Sequence, residues 1–122
     1  TKFNGVSYIT QKGAAAALSP EGFRQIKDNL KYYKNNANII ANTLTRLGIW
    51  YTGGMHSPYI WLKCPNDMGS WDFFDLLLRK TNVVGTPGEG FGANGKGFFR
   101  LTAFGNHENV LKAMQRIENI LS

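Results

Sequence analysis

The chain has 122 residues, 43% hydrophobic and 13% aromatic, a composition that fits one folded domain and excludes a disordered or low-complexity protein. Fourteen Lys and Arg against eight Asp and Glu give a formal net charge of +6, which would suit an acidic ligand, a nucleic acid or a membrane surface. Because the basic residues are scattered and form no run, a solvated surface is the favoured interpretation. We therefore expect neither a nucleic-acid nor a membrane partner.

Cysteine and histidine are rare in this chain. Cys64 is the only cysteine, so no intrachain disulfide can form and a reducing compartment is expected. His56 and His107 are the only histidines, and the three residues lack the spacing of metal ligands, so no metal site is expected. No stretch approaches the roughly 20 apolar residues of a membrane span.

Two helices are predicted at the start of the chain. Residues 7–18 contain four successive alanines and predict a short helix. Ser19, Pro20 and Gly48 suit the N-cap, the first position and the end of a long helix. Between them, apolar residues recur at spacings of three and four and form one stripe. These residues are Phe23, Ile26, Leu30, Tyr33, Ala37, Ile40, Leu44 and Leu47.

The middle of the chain predicts two strands and a helix. Residues 49–52 and 59–63 are typical of strands, with a glycine pair between them as the turn signal. Ser70 is expected to cap a helix that runs to Lys80, and its many Phe and Leu residues indicate burial.

Two more strands and a helix complete the chain. A short extended piece is predicted from Val83, with a break at residues 86–88, and a glycine-rich stretch leads to a strand at residues 98–104. Asn106 is expected to cap the last helix, whose buried face is formed by Val110, Met114, Ile117 and Leu121. This order predicts an α+β fold, a small mixed or antiparallel sheet covered on one side by helices. Residues 1–18 have no place in such a sandwich and are expected to belong to a neighbouring domain.

The glycine-rich stretch, Gly88-Glu-Gly-Phe-Gly-Ala-Asn-Gly-Lys-Gly97, invites two phosphate-site readings. Gly90, Gly92 and Gly95 have the spacing of a dinucleotide fingerprint, and residues 90–96 nearly spell a Walker loop. Both motifs require a following helix, whereas a strand is predicted here, and Gly97 stands where the Walker loop needs Ser or Thr. We therefore reject both readings and expect a flexible connector near a ligand site.

Arg100 is the candidate for anion binding. It lies within an apolar predicted strand, where a buried guanidinium is costly without an anion, and its planar fork matches a carboxylate with two hydrogen bonds. A structural ion pair, or a position on the exposed face of the strand, explains the residue equally well.

Two further features have ordinary readings. Asn4, just ahead of the first helix, is most simply a cap. Aromatic residues at Trp50, Tyr51, Tyr59 and Trp61 could stack on nucleic-acid bases, but on strands they are expected to be core.

Several motifs in the same order resemble the C-terminal part of the LL-diaminopimelate aminotransferase family, which uses pyridoxal 5'-phosphate (PLP) and has fold type I. The resemblance covers essentially the whole chain. Its motifs are Thr1-Lys-Phe-Asn-Gly5, the alanine-rich helix, Ser19-Pro-Glu-Gly22, Ser57-Pro-Tyr-Ile-Trp-Leu62, Ser70-Trp-Asp-Phe-Phe74, Val84-Gly-Thr-Pro-Gly-Glu-Gly-Phe-Gly92 and Phe99-Arg-Leu-Thr-Ala-Phe-Gly105.

The resemblance implies a domain division and two site residues. Residues 1–36 would be the end of the large domain and the connecting long helix, and residues 37–122 the small C-terminal domain. Arg100 matches the arginine that holds the substrate α-carboxylate in the family. Asn4 matches the asparagine that contacts cofactor and substrate, across the interface of a homodimer.

The implied reaction transfers an amino group between glutamate and tetrahydrodipicolinate in lysine biosynthesis, giving LL-diaminopimelate and 2-oxoglutarate. PLP is the implied cofactor, and the implied partners are amino-acid and oxo-acid substrates and the remainder of the enzyme, in the cytoplasm or a plastid. The Schiff-base lysine and most phosphate ligands lie upstream in the family, so no catalytic residue is expected in this segment, which should be inactive alone.

Two alternatives stay open from the sequence. Another fold type I aminotransferase, for aspartate, aromatic or branched substrates, would keep Arg100 and differ upstream. A stand-alone basic α+β module that binds nucleic acid or protein would also suit the length and charge.

Overall fold

The computed structural model describes residues 5–122, which divide into two compact units with a boundary between Tyr32 and Tyr33. This boundary falls inside a long helix. The assignment of residues 1–36 to the large domain of a longer enzyme stays a prediction. Asn4 lies outside the described residues.

Both predicted N-terminal helices are confirmed. Helix α1 is Tyr8–Ala17, with the Ser7 side chain accepting a hydrogen bond from the Thr10 N–H at its start. Helix α2 is Pro20–Arg46, and the Ser19 hydroxyl accepts a hydrogen bond from the Gly22 N–H at 3.1 Å. None of residues 5–32 is buried. The apolar stripe of α2 is therefore covered only in its later part.

The second unit contains a four-stranded sheet in the order β1-β2-β4-β3, and all three strand pairs are antiparallel. Its strands are β1 (Tyr51–Gly53), β2 (Tyr59–Lys63), β3 (Thr86–Pro87) and β4 (Phe98–Thr102). Helix α3 (Ser70–Thr81) lies between β2 and β3 in the sequence, and α4 (His107–Leu121) follows β4. The predicted order of helices and strands is confirmed.

One face of the sheet carries the core. Alternate residues of the two central strands, Ile60 and Leu62 of β2 and Phe99 and Leu101 of β4, are buried in a single cluster. The helical members of this cluster are Ala37, Ile40 and Leu44 of α2, Phe73 and Leu77 of α3, and Val110, Met114 and Ile117 of α4. The three helices thus cover the same face, which confirms the predicted α+β sandwich.

The helix ends follow local rules with one exception. Gly48, just past α2, has a φ of 66°, and the Asn106 side chain accepts hydrogen bonds from two backbone N–H groups of α4. Ser70 does not cap α3, whose N-cap is Gly69, so that prediction is wrong. The Ser70 hydroxyl is buried and donates to the carbonyl of Gly95 instead.

The third strand also differs from expectation. The extended piece predicted from Val83 does not pair there, and the residues predicted as its break, Thr86 and Pro87, form β3. Pro87 is tolerated because β3 is an edge strand, where a missing N–H breaks no ladder.

A buried asparagine joins α2 to both ends of the segment that links β4 to α4. The Asn36 side-chain amide donates to the carbonyls of Ala103 at 3.0 Å and Gly105 at 2.8 Å. Its oxygen lies 2.8 Å from Nδ1 of His107. The end of β4 is therefore fixed to the helical layer. Within residues 5–122, no helix combines the length and apolarity needed to cross a membrane.

Candidate functional site

Arg100 lies on the sheet face opposite the three helices, which we call the open face. Strand alternation places Phe98, Arg100 and Thr102 of β4 there, because their neighbours Phe99 and Leu101 point into the core. Arg100 is half-buried and stands directly opposite Trp61 of β2. The sequence left open a buried position and a position on the exposed face of the strand. The structure places the guanidinium on the face away from the core, which is the second of these positions.

Two aromatic rings lie against the guanidinium. Its central carbon lies 4.6 Å from the ring centroid of Tyr59 and 4.6 Å from that of Phe91. Trp61 stacks on Phe98 with centroids 5.7 Å apart and contacts Phe91 edge to face. These contacts hold the positive charge by cation–π attraction and dispersion.

No carboxylate within residues 5–122 forms an ion pair with Arg100, and no acceptor in that range receives a hydrogen bond from its guanidinium. The structural ion pair considered from the sequence is therefore absent from this part of the chain. A guanidinium carries five N–H donors in a rigid fork, and this one has them available for an anion.

The expectation that the strand aromatics form the core holds only for Tyr51, which packs against the core cluster, and is wrong for Trp50 and Tyr59. Trp50 is 57% exposed and Tyr59 42% exposed, while Trp61 and Tyr51 are half-buried. The buried positions of β2 are occupied by the aliphatic residues Ile60 and Leu62, which alternate with the aromatic ones. The alternation of aromatic and aliphatic residues in residues 59–62 was the signal that could have separated the two faces.

The glycine-rich loop is more closely packed than a flexible connector requires. It forms two 3-10 turns, Gly88–Phe91 and Ala93–Gly95. Gly88 and Gly95 are buried against each other, and a Cβ atom on Gly95 would overlap the carbonyl oxygen of Gly88. Backbone approaches of this kind require glycine. The loop thereby presents Phe91 beside Arg100.

Ser70 at the start of α3 and Cys64, the residue that follows β2, anchor the far end of this loop. The Ser70 hydroxyl donates to the Gly95 carbonyl at 3.2 Å and accepts from the Gly97 N–H at 3.0 Å. The Cys64 N–H donates to the Gly97 carbonyl at 2.8 Å. Burial raises the pKa of the Cys64 thiol to about 11, so the side chain is neutral and serves as packing rather than as a nucleophile.

The described residues fit a carboxylate better than they fit PLP. Every lysine in residues 5–122 is exposed, whereas a lysine that binds PLP covalently needs a desolvated or charged setting that lowers its pKa. Within the same residues no group of three or more His, Cys, Asp or Glu could hold a metal ion. Tyr59 and Phe91 were not predicted as site residues, and Asn4 lies outside the described residues.

Comparison with known proteins identifies the relatives of this chain. No family model matches it. A curated LL-diaminopimelate aminotransferase of Lawsonia intracellularis is 54% identical over 121 residues, 99% of this chain. That of Prochlorococcus marinus strain NATL2A is 60% identical over 117 residues, 96% of this chain. The chain is homologous to the C-terminal part of LL-diaminopimelate aminotransferase.

The fold is also similar to a solved structure of an enzyme with the same name. LL-diaminopimelate aminotransferase of Chlamydomonas reinhardtii is 43% identical, superposes with a TM-score of 0.91 and covers 98% of this chain. The resemblance found in the sequence motifs and the fold type I assignment are confirmed. The chain spans about three tenths of the length of these relatives: 30% of the Lawsonia enzyme and 29% of the other two. The comparisons lend no support to a stand-alone binding module.

Proposed function

We propose that these residues are part of an LL-diaminopimelate aminotransferase. The enzyme transfers an amino group between glutamate and tetrahydrodipicolinate, giving LL-diaminopimelate and 2-oxoglutarate. The observation that carries the proposal is the guanidinium of Arg100 on the open face, which has no ion-pair partner within residues 5–122, in a chain 54% and 60% identical to two enzymes of that name. An arginine fork without a protein partner is suited to a substrate α-carboxylate.

In this proposal Arg100 binds and orients the substrate. Two parallel hydrogen bonds to the carboxylate fix the plane of the amino acid, and the aromatic rings around the guanidinium limit the access of water. The reacting carbon is thereby held in one orientation, which is a major source of rate in transamination.

The rest of the site is proposed to lie upstream, in keeping with the exposed lysines of residues 5–122. PLP, when bound, supplies the electron sink for amino-group transfer. Asn4 would contact cofactor and substrate across a homodimer interface, residues 1–36 would complete the large domain, and residues 37–122 would form the small domain. The enzyme would work in the cytoplasm, or in a plastid.

Transamination by the full-length enzyme tests the proposal. LL-diaminopimelate with 2-oxoglutarate is compared with aspartate and aromatic donors, in the wild type and in Arg100→Lys. Lysine keeps the charge but loses the two-bond fork, so kcat/KM for LL-diaminopimelate should fall roughly 10- to 100-fold.

Arg79→Lys is the matched control, because Arg79 is exposed on α3 and its ion pair within residues 5–122 is with Asp75 of the same helix. It should leave kcat/KM unchanged. Preference for another donor would keep the fold and overturn the substrate assignment. An Arg100→Lys enzyme as active as the wild type would remove Arg100 from the site.

A further inference from the structure

The way in which Arg100 is held carries a further consequence. An arginine on a sheet can be held by a carboxylate or by aromatic rings. Within residues 5–122 the Arg100 guanidinium forms no ion pair, and the rings of Tyr59 and Phe91 lie against it. A carboxylate would occupy the same N–H fork that a substrate needs and would neutralise its charge. An aromatic ring attracts the cation through its π face and accepts no conventional hydrogen bond.

We propose that Tyr59 and Phe91 are positioning residues that hold the Arg100 guanidinium while leaving its N–H fork free for the substrate carboxylate. This inference rests on the proposed function of Arg100. It adds two residues that act on the substrate only through the arginine.

Both rings are set by the protein rather than by a ligand. Tyr59 begins β2, which pairs with β4 along its whole length, and its ring packs against Phe104 with centroids 5.8 Å apart. Phe91 ends the first turn of the glycine-rich loop, and its ring contacts Trp61 with centroids 5.7 Å apart. The close packing of Gly88 on Gly95 fixes that turn. The two rings therefore occupy their places before a substrate arrives, and pre-organised contacts lower the cost of binding.

The first test replaces one ring at a time in the full-length holoenzyme, as Tyr59→Leu and Phe91→Leu, with Tyr59→Phe as the control that keeps the ring. Each leucine variant should raise KM for the best amino donor of the wild type about 2- to 5-fold, the range of an exposed cation–π contact, with kcat nearly unchanged. The dissociation constant of glutarate, an unreactive dicarboxylate, measured by calorimetry, should rise by a similar factor. Tyr59→Phe should match the wild type in both.

The second test introduces a competitor for the fork. Phe91→Glu places a carboxylate beside Arg100, and Phe91→Gln has the same shape without the charge. Glutarate should bind several-fold more weakly to Phe91→Glu than to Phe91→Gln. This difference in affinity should decrease as the salt concentration is raised. Phe91 is 54% exposed within the described chain, and circular dichroism checks that both variants fold like the wild type.

The outcomes separate this inference from the proposed function. The positioning role would be overturned if the leucine variants kept the wild-type KM and glutarate affinity while Arg100→Lys raised KM and weakened glutarate binding. That result would leave the carboxylate role of Arg100 intact. A wild type that prefers a donor other than LL-diaminopimelate would overturn the substrate assignment, and the ring variants would still be decided with that donor. Equal glutarate affinity in Phe91→Glu and Phe91→Gln would also count against the positioning role.

Discussion

At the scale of single residues, burial decides what a reactive group can do. Cys64 is 3% exposed, and burial raises the pKa of its thiol to about 11. A thiol with an unperturbed pKa near 8.5 is partly ionised at pH 8, whereas Cys64 is almost wholly neutral there. Alkylation of Cys64 by iodoacetamide at pH 8 should be at least about 100-fold slower than that of free cysteine. Mass spectrometry of the peptide that carries Cys64 measures this rate.

Unfolding in urea should restore the alkylation rate to that of free cysteine, which serves as the control. Since the pKa of this acid is raised by folding, its contribution to stability is present below the unfolded pKa and is lost as pH rises through the folded one. Rapid labelling of the native protein would show that the site is open to solvent.

Asn36 gives a second prediction at the scale of single residues, because its neighbour Asn35 is the same residue type in a different environment. Asn36 is fully buried and donates to two backbone carbonyls beyond β4, while Asn35 is exposed on the same helix. Asn36→Ala should lower the free energy of unfolding by about 1–3 kcal/mol, the cost of unpaired buried acceptors. Asn35→Ala should leave it unchanged or slightly higher, as alanine favours helix. Urea denaturation of both variants decides the point, and equal effects would refute the special role of Asn36.

At the scale of elements, the glycine-rich loop depends on backbone contact. A Cβ atom at Gly95 would overlap the Gly88 carbonyl, whereas one at Gly90 would meet no atom within 4 Å. Gly95→Ala should therefore cost about 1–3 kcal/mol of unfolding free energy, as overpacked substitutions do, and Gly90→Ala should cost little. Urea denaturation of the two variants compares them. A stable Gly95→Ala protein would mean that the loop yields easily, as the sequence alone had suggested.

Helices and their ends could be predicted because they depend on residues within one or two turns. Ser19 caps its helix and Gly48 ends it, as their local chemistry indicates. Ser70 could not be assigned correctly, because its hydroxyl forms hydrogen bonds with backbone atoms of the glycine-rich loop that are 25 and 27 residues away in the sequence. The open face was missed for a similar reason. Which face of β2 is covered depends on helices that are distant in sequence.

Arg100 shows the same limit within the candidate site. Its residue type and strand position could be read from the sequence, and so could the carboxylate chemistry that the fork suits. The partners Tyr59 and Phe91 could not, because strand pairing brings the first to Arg100 and the glycine-rich loop brings the second. The hydrogen-bonding capacity of the guanidinium belongs to a single residue type, whereas the contacts that orient it come from residues distant in the sequence.

At the scale of the whole molecule, burial is concentrated in one of the two units. Residues 5–32 contain no buried residue, while residues 33–122 contain the entire core cluster of the described chain. In the 122-residue chain by itself, hydrogen exchange should be fast across residues 5–32 and slow in β2, β4 and α4. Exchange followed by mass spectrometry measures both regions in one sample. Equal protection throughout would show that residues 5–32 are stabilised to the same degree as the core.

The shortness of β3 determines where the sheet stops. This edge strand has two residues, and one of them, Pro87, has no N–H to offer an incoming strand. A long, regular edge would template intermolecular β-pairing and, with it, aggregation. The short edge and its proline therefore make strand addition unfavourable beside β4, the strand that carries Arg100. A second copy of this chain would find few backbone donors at β3 with which to extend the sheet.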